Sequence, residues 1–378
     1  MNLADRINAR LDEIELKGLR RKLESPAGID LSSNDYLALA DDERLKSAIG
    51  NALRIESVGS TGSRLLRGER DIFREVETQF AAWKGTERSL FFATGYQANI
   101  GLMQTFLEEG DVVFSDALNH ASLIDGIRLS SARKVIYDHC RVDQLEKLVR
   151  GTDCEGQKFL VTESLFSMDG DIAPLDEYAG ICHDTGTNLI IDEAHAVGIY
   201  GEKGSGLIEE FGIADEIFIS INTAGKALGV SGAFLAGSEW AIEYLIQKAR
   251  PFIFSTAPIP AVAHALYESI KITGAERERA ENLLSLSMYV RKLFNDSGIP
   301  VPMDNSQIVP IMIGDNEKAV SIAETLRAKG FDIRAIRPPT VPAGTARLRV
   351  SLNCNLTESI LTEFVGELGE ELNSYDEI

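Results

Sequence analysis

Long apolar runs are missing from this sequence; nothing approaches the roughly 20 residues needed to span a bilayer. The opening stretch MNLADRINARLDEIELKGLRRKLE is charged and lacks the apolar core of a signal peptide. Cysteine is scarce. Cys140, Cys154, Cys182 and Cys354 are scattered, with no CxxC pair and no metal-ligand spacing. That excludes a disulfide framework and a zinc module, and leaves a reduced, cytoplasmic protein without a metal as the expectation. Basic charge is also short, with 38 Lys and Arg against 58 Asp and Glu and a net charge of −20. Such a balance argues against nonspecific nucleic-acid binding. An anionic substrate would have to be met by local basic residues rather than by the total.

What is present is the composition of a globular chain, 44% apolar and 25% charged. At 378 residues it is too long for one ordinary core and suits two domains, or one large α/β domain with a satellite. The segment from Asn188 to Phe234 organises the rest. Leu189-Ile190-Ile191 ends in Asp192-Glu193-Ala194-His195, and Ile217-Phe218-Ile219-Ser220-Ile221 ends in Asn222-Thr223-Ala224-Gly225-Lys226. A Gly-rich loop and a short amphipathic segment between them suffice for a crossover between parallel strands. Ligands gather at the carboxyl ends of such strands, where Asp192, His195 and Lys226 would be delivered. Pyridoxal phosphate enzymes need that set: a lysine that bonds the cofactor and an Asp facing its ring nitrogen. On the plainer reading Asp192 caps a turn and Lys226 is a solvated cation. Against it, Lys226 sits between Gly225 and Ala227-Leu228-Gly229, small neighbours that let a bulky cofactor approach the backbone.

Two more stretches suit the same cofactor. Leu90 to Ala93 reads as a buried strand, and Thr94-Gly95-Tyr96 then opens a helix whose free N–H groups would meet a phosphate, which assigns Gly95 and Tyr96 to it. An ordinary N-cap at Thr94 gives the same geometry. Apolar Leu3, Ile7, Leu11, Ile14 and Leu19 predict an amphipathic helix over 3–24, with Arg20, Arg21 and Lys22 at its basic end.

DEAHAVGIYGEKGSG followed by TAGKALGVSGA resembles the α-oxoamine synthases, fold-type I pyridoxal phosphate enzymes that join an amino acid to an acyl thioester with loss of carbon dioxide. The resemblance runs from about Leu19 to about Leu352, through SSNDYL, HAS after Asn119, ESLFSMDGD and FSTAP. It implies an α/β fold with a mostly parallel sheet in a large cofactor domain (46–273), an N-terminal helix and turn segment (1–45) and a small α+β C-terminal domain (274–378). It also implies a homodimer with shared sites. Catalysis would fall to Lys226, Asp192, His195 and His120, the His120 ring stacking on the cofactor. Ser167 and His195 would meet its phenolic oxygen, Thr223 would line it, and Ser255 and Thr256 would reach the partner subunit's phosphate. Substrate would be met by Asn34, His120, Thr340 and Arg349, and by Arg20 as a carboxylate or phosphate contact. For Arg20 the alternative is complementing the helix dipole. Asp169 and Asp171 read as turn residues.

IRPPTVPAGTARLR is most like the branch that condenses L-alanine with a pimeloyl thioester, carried by coenzyme A or by acyl carrier protein. In it Arg349 alternates with apolar Leu348 and Val350 and would point off its strand to grip a carboxylate in two places. A branch joining glycine to acetyl-CoA, and a catalytically silent subunit, stay open as alternatives. Two departures from the family are visible. Pro26 to Asp30 leaves no room for a hairpin before SSNDYL, and Leu65-Leu66-Arg67-Gly68 differs from some members of the pimeloyl branch.

Overall fold

The computed structural model describes residues 1–376, so the last two positions of the expected 274–378 segment lie outside the described residues. Twelve strands occur among them. They begin with β1 (Ile29–Asp30), β2 (Arg88–Phe92), β3 (Val112–Asp116) and β4 (Arg133–Tyr137). β5 (Lys158–Glu163), β6 (Asn188–Asp192), β7 (Ile217–Thr223) and β8 (Ala233–Gly237) come next. The last are β9 (Ile308–Gly314), β10 (Phe331–Asp332), β11 (Ala335–Ile336) and β12 (Ala346–Ser351). The chain divides into two compact units. One takes residues 1–34, 168–170 and those from Asn282 onward; the other takes Asp35–Ser167 and Asp171–Glu281.

The larger unit is built on a seven-stranded sheet in the order β2-β8-β7-β6-β5-β3-β4. Only β8 is antiparallel to its neighbours, so the carboxyl ends of the other six strands lie along one edge. β5, β6 and β8 are near-continuous apolar runs because helices cover both sheet faces. Alternation along β2 sorts the core. Leu90 and Phe92 join the cluster with Leu102, Ile190, Ile221 and Leu245, and Phe91 joins the opposite one with Phe73, Phe80 and Phe234. Phe80 and Phe234 stack there at 4.2 Å.

The other unit holds the antiparallel sheet β11-β12-β9 and the parallel pair β1–β10. Helices Asn316–Ala328 and Glu358–Asp376 accompany these strands, which gives this segment its α+β character. The N-terminal helix is shorter than predicted, Leu3–Leu16 instead of 3–24. Gly18, at φ 62°, stops it: its N–H reaches Glu15 O, and Leu19 N–H reaches back to Ile14 O at 3.0 Å, a Schellman ending. Among the described residues nothing buries any residue of this helix, and its apolar positions Leu3, Ile7, Leu11 and Ile14 stay exposed.

Candidate active site

Five strand ends in the larger unit deliver the predicted side chains to one sheet edge. Gly95 comes after β2, His120 after β3, Ser167 after β5, His195 after β6 and Lys226 after β7. Asp192 closes β6 itself, in register with Glu163 on β5 and Ile221 on β7.

Lys226 and His195 are in direct contact, Nζ to Nε2, at 3.0 Å. The other ring nitrogen, Nδ1, lies 2.7 Å from the Tyr36 hydroxyl in a buried contact. Both ring nitrogens of His195 are thus engaged, and which of them donates follows the tautomer of the ring. Lys226 is half-buried on the loop before β8. Its neighbouring glycines differ in their surroundings. Gly229 has φ 65°, and a Cβ there would meet Ala40 N at 2.6 Å, so backbone packing requires it; Gly225 faces open space on its Cβ side apart from a distant carbonyl.

Asp192 is 4% exposed. Its Oδ1 accepts from Ala194 N–H at 2.9 Å and its Oδ2 from Asn99 Nδ2 at 3.0 Å. Asn99 also donates to Ser122 Oγ at 2.8 Å, and that hydroxyl lies 2.7 Å from His120 Nδ1, which further accepts Ser122 N–H. A nitrogen serving as acceptor belongs to a neutral imidazole. Burial agrees, pushing His120 down against the opposing charge of Asp192, with Lys226 lowering it further. The His120 backbone N–H donates to Glu163 Oε1 at 2.6 Å.

The helix Gly95–Phe106 opens as predicted, with Thr94 Oγ1 accepting Gln97 N–H at 3.2 Å. Only glycine fits at 95, since a Cβ would stand 2.5 Å from Thr223 Cγ2. Thr223 therefore packs directly on the helix start, and its hydroxyl donates to Ala194 O at 3.3 Å. The Tyr96 side chain is turned to Asp125, leaving its backbone as the group available at the helix end. Ser255 and Thr256 line a small hollow with Ala93, Gln97 and Arg64 of the same chain. Ser167 is half-buried in a turn closed by Phe166 N–H to Asp171 O at 3.0 Å.

Asp171 does more than shape that turn. His139 lies between Asp171 Oδ2 at 2.7 Å and Asp116 Oδ1 at 2.9 Å, tying the Ser167 turn to the end of β3. Burial pushes the imidazole down, but the two carboxylate bonds outweigh it and hold His139 up at about 12. Tyr36, Asn99, Ser122, Glu163 and His139 are site residues that the sequence reasoning misses. Four of them stand inside or beside the motifs SSNDYL, TGYQAN, HAS and ESLFSMDGD, which is the available signal.

The remaining predicted residues belong to the other unit. Arg349 is buried, with Nη1 donating to Ser351 Oγ at 2.5 Å and Nη2 to Asn34 Oδ1 at 3.1 Å, so two predicted substrate contacts meet. Thr340 is exposed, its N–H donating to Arg337 O at 3.1 Å. Arg20 is exposed beyond the end of the N-terminal helix and lines a cavity of about 650 Å3 with Arg21, Lys22, Arg327, Arg334 and Arg337. Arg20 also pairs with the Glu15 side chain at 3.4 Å, and it stands past the last turn of the helix, which holds no basic residue. Asp169 pairs with Arg347.

Comparison with known proteins gives the family of the chain. The family described as "Aminotransferase class I and II" matches residues 26–368. The 8-amino-7-oxononanoate synthase of Anaeromyxobacter dehalogenans is 43% identical over 364 residues, covering 92% of this chain and 91% of that protein. Among solved structures, serine palmitoyltransferase of S. paucimobilis, holding pyridoxal phosphate and myriocin, superposes with a TM-score of 0.93 at 28% identity, each chain covered completely (100%). The 8-amino-7-oxononanoate synthase of Francisella tularensis matches with a TM-score of 0.81 at 31% identity, over 93% of this chain and 99% of that one. The chain belongs to the class I and II aminotransferase family and, within it, to the 8-amino-7-oxononanoate synthases, which are acyltransferases.

Proposed function

We propose that the site binds pyridoxal 5'-phosphate and condenses L-alanine with a pimeloyl thioester, releasing carbon dioxide, the free thiol and 8-amino-7-oxononanoate for biotin biosynthesis. The observation that carries this reading is the convergence of Lys226, His195, Asp192 and His120 at one sheet edge beside the helix start at Gly95. The donor set suits the cofactor. A lysine amine meets its aldehyde, a carboxylate with both oxygens already held meets its ring nitrogen, and a side-chain-free helix start meets its phosphate. When bound, the cofactor supplies an electron sink for the carbon next to the amino-acid carboxylate.

The chain's own residues do the rest. Lys226 Nζ takes the α-proton of alanine, and His195, 3.0 Å away and anchored on Tyr36, orients that amine. Asp192 keeps a negative charge fixed by Asn99 and Ala194, and so favours a proton on the ring nitrogen it faces. His120 covers the ring as a flat neutral imidazole and excludes water. Ser167 and His195 would hydrogen-bond its phenolic oxygen, Gly95, Tyr96 and Thr223 would hold its phosphate end, and Ser255 and Thr256 would reach the phosphate in the partner subunit's site. Arg349 and Asn34 bind the alanine carboxylate, the planar guanidinium suiting two parallel bonds. Thr340 and Arg20 meet the acyl donor, whose far carboxyl group or phosphates favour cations in a chain of net charge −20. The donor arrives on coenzyme A or on acyl carrier protein. The enzyme works as a homodimer, in which a second copy could cover the apolar stripe of the Leu3–Leu16 helix.

Borohydride treatment of the cofactor-loaded protein, then peptide mapping, tests the site: the cofactor mass should sit on Lys226. Protein that stays colourless with pyridoxal phosphate and yields no product would instead be a silent subunit.

A further inference from the structure

Two buried carboxyl groups stand side by side at the working edge of the sheet, and they are held differently. Glu163 ends β5, Asp192 ends β6, and the two are register partners in a parallel pair, so both side chains leave the same face. They are 3% and 4% exposed. Asp192 accepts two N–H groups, one on each oxygen. Glu163 accepts one, from the backbone of His120, and no other hydrogen bond reaches its carboxyl group among the described residues. A carboxylate removed from water keeps its charge through several donors or an opposite charge. With a single donor and a like charge beside it, Glu163 is the member of the pair that carries a proton.

We propose that Glu163 is a positioning residue that works as a neutral, proton-bearing acid, fixing the backbone of His120 while leaving Asp192 the only negative charge of the pair. The proposal rests on the reading that the cofactor lies against Asp192 and His120. Glu163 is neither in the reaction's path nor a ligand of the cofactor; it acts through the two residues that are.

The groups facing Glu163 agree in sign. Burial raises it first, Asp192 on β6 second, and Asp116 on β3 adds in the same direction. Lys226, from the loop after β7, and the His120 N–H pull it down, and the balance leaves it at about 8. Being higher than in the unfolded chain, this value makes the native state hold the extra proton between the ordinary carboxyl range and about pH 8. As pH rises through about 8 the proton is lost. A second buried negative charge then appears beside Asp192, and the His120 turn loses its neutral anchor.

The test uses the full chain and three measurements. Infrared difference spectra of wild type against Glu163→Gln at pH 7 should show the carbonyl stretch of a protonated carboxyl group, fading in wild type as pH passes about 8. Binding of pyridoxal phosphate should weaken about 10-fold in Glu163→Ala, which loses the bond to His120 N–H, and be largely restored in Glu163→Gln, whose amide oxygen still accepts it. Wild-type affinity should also fall above pH 8 while that of Glu163→Gln stays level. The proposal is overturned if the protonated-carboxyl band is missing, if Glu163→Gln binds as poorly as Glu163→Ala, or if both proteins share one pH profile. The infrared band reads the proton without any cofactor. A wild type that binds no pyridoxal phosphate at pH 7 would therefore defeat the proposed function and leave the protonation of Glu163 separately decided.

Discussion

Lys226 and His195 meet at 3.0 Å, Nζ to Nε2, although they arise from different strand ends, and the imidazole is itself held by the Tyr36 hydroxyl at 2.7 Å from Nδ1. The lysine amine is thus aimed by a second residue that is aimed by a third. Tyr36 is fully buried, so no water stands ready to replace its hydroxyl as the partner of Nδ1.

Tyr36→Phe should therefore lower kcat/KM about 5-fold, the equivalent of one hydrogen bond of about 1 kcal/mol. The aromatic packing on His195, with ring centroids 6.0 Å apart, should survive, so the fold is retained. Steady-state kinetics of a protein with wild-type melting behaviour checks it. Unchanged kcat/KM would mean that His195 needs no support from Tyr36.

Lys226→Ala should abolish turnover yet keep cofactor bound noncovalently, because Gly95, Asp192 and His120 are positioned without it. Mass spectrometry after borohydride reads the outcome. Cofactor still fixed covalently to the variant would identify another lysine as the anchor.

Much of this site was legible in the sequence because its chemistry needs particular residue types at strand ends. β5, β6 and β7 are readable as apolar runs, and Asp192, His195 and Lys226 as polar residues at or just past the ends of β6 and β7. The supporting contacts are not. Tyr36 meets His195 across 159 positions and Asn99 meets Asp192 across 93, distances at which spacing carries no information. The end of the first helix is hidden in the sequence because Leu19 continues the apolar spacing, while Gly18 has already turned the backbone at φ 62°. Gly229 suggests room for a cofactor, although its left-handed backbone lies against Leu39 and Ala40. A glycine tells that space or φ matters, without telling what occupies the space.

Asp192→Asn should reduce kcat far more than it raises KM for alanine. The fixed negative charge matters most when electron density moves into the ring, which is stabilisation of the transition state over the ground state. A variant with near-normal kcat would show that Asp192 supplies something other than charge.

The turn carrying His195 depends on a buried ion pair. Glu193 pairs with Lys84 and also accepts Ile208 N–H at 2.9 Å, while Lys84 donates to Ser205 O at 2.6 Å. Removing one partner strands a charge, so Glu193→Ala should destabilise the protein by about 3–5 kcal/mol in urea unfolding. A loss below about 1 kcal/mol would mean that water replaces the carboxylate.

The most direct test of the central claim is a comparison of acyl donors. Purified protein loaded with pyridoxal phosphate is given L-alanine with a pimeloyl thioester, and in parallel glycine with acetyl-CoA, with products identified by mass and kcat/KM measured for each pair. The first pair should yield 8-amino-7-oxononanoate, with the higher kcat/KM. Preference for acetyl-CoA and glycine would contradict the assignment of substrate, while leaving the arrangement of Lys226, His195 and Asp192 to serve a different member of the same chemistry.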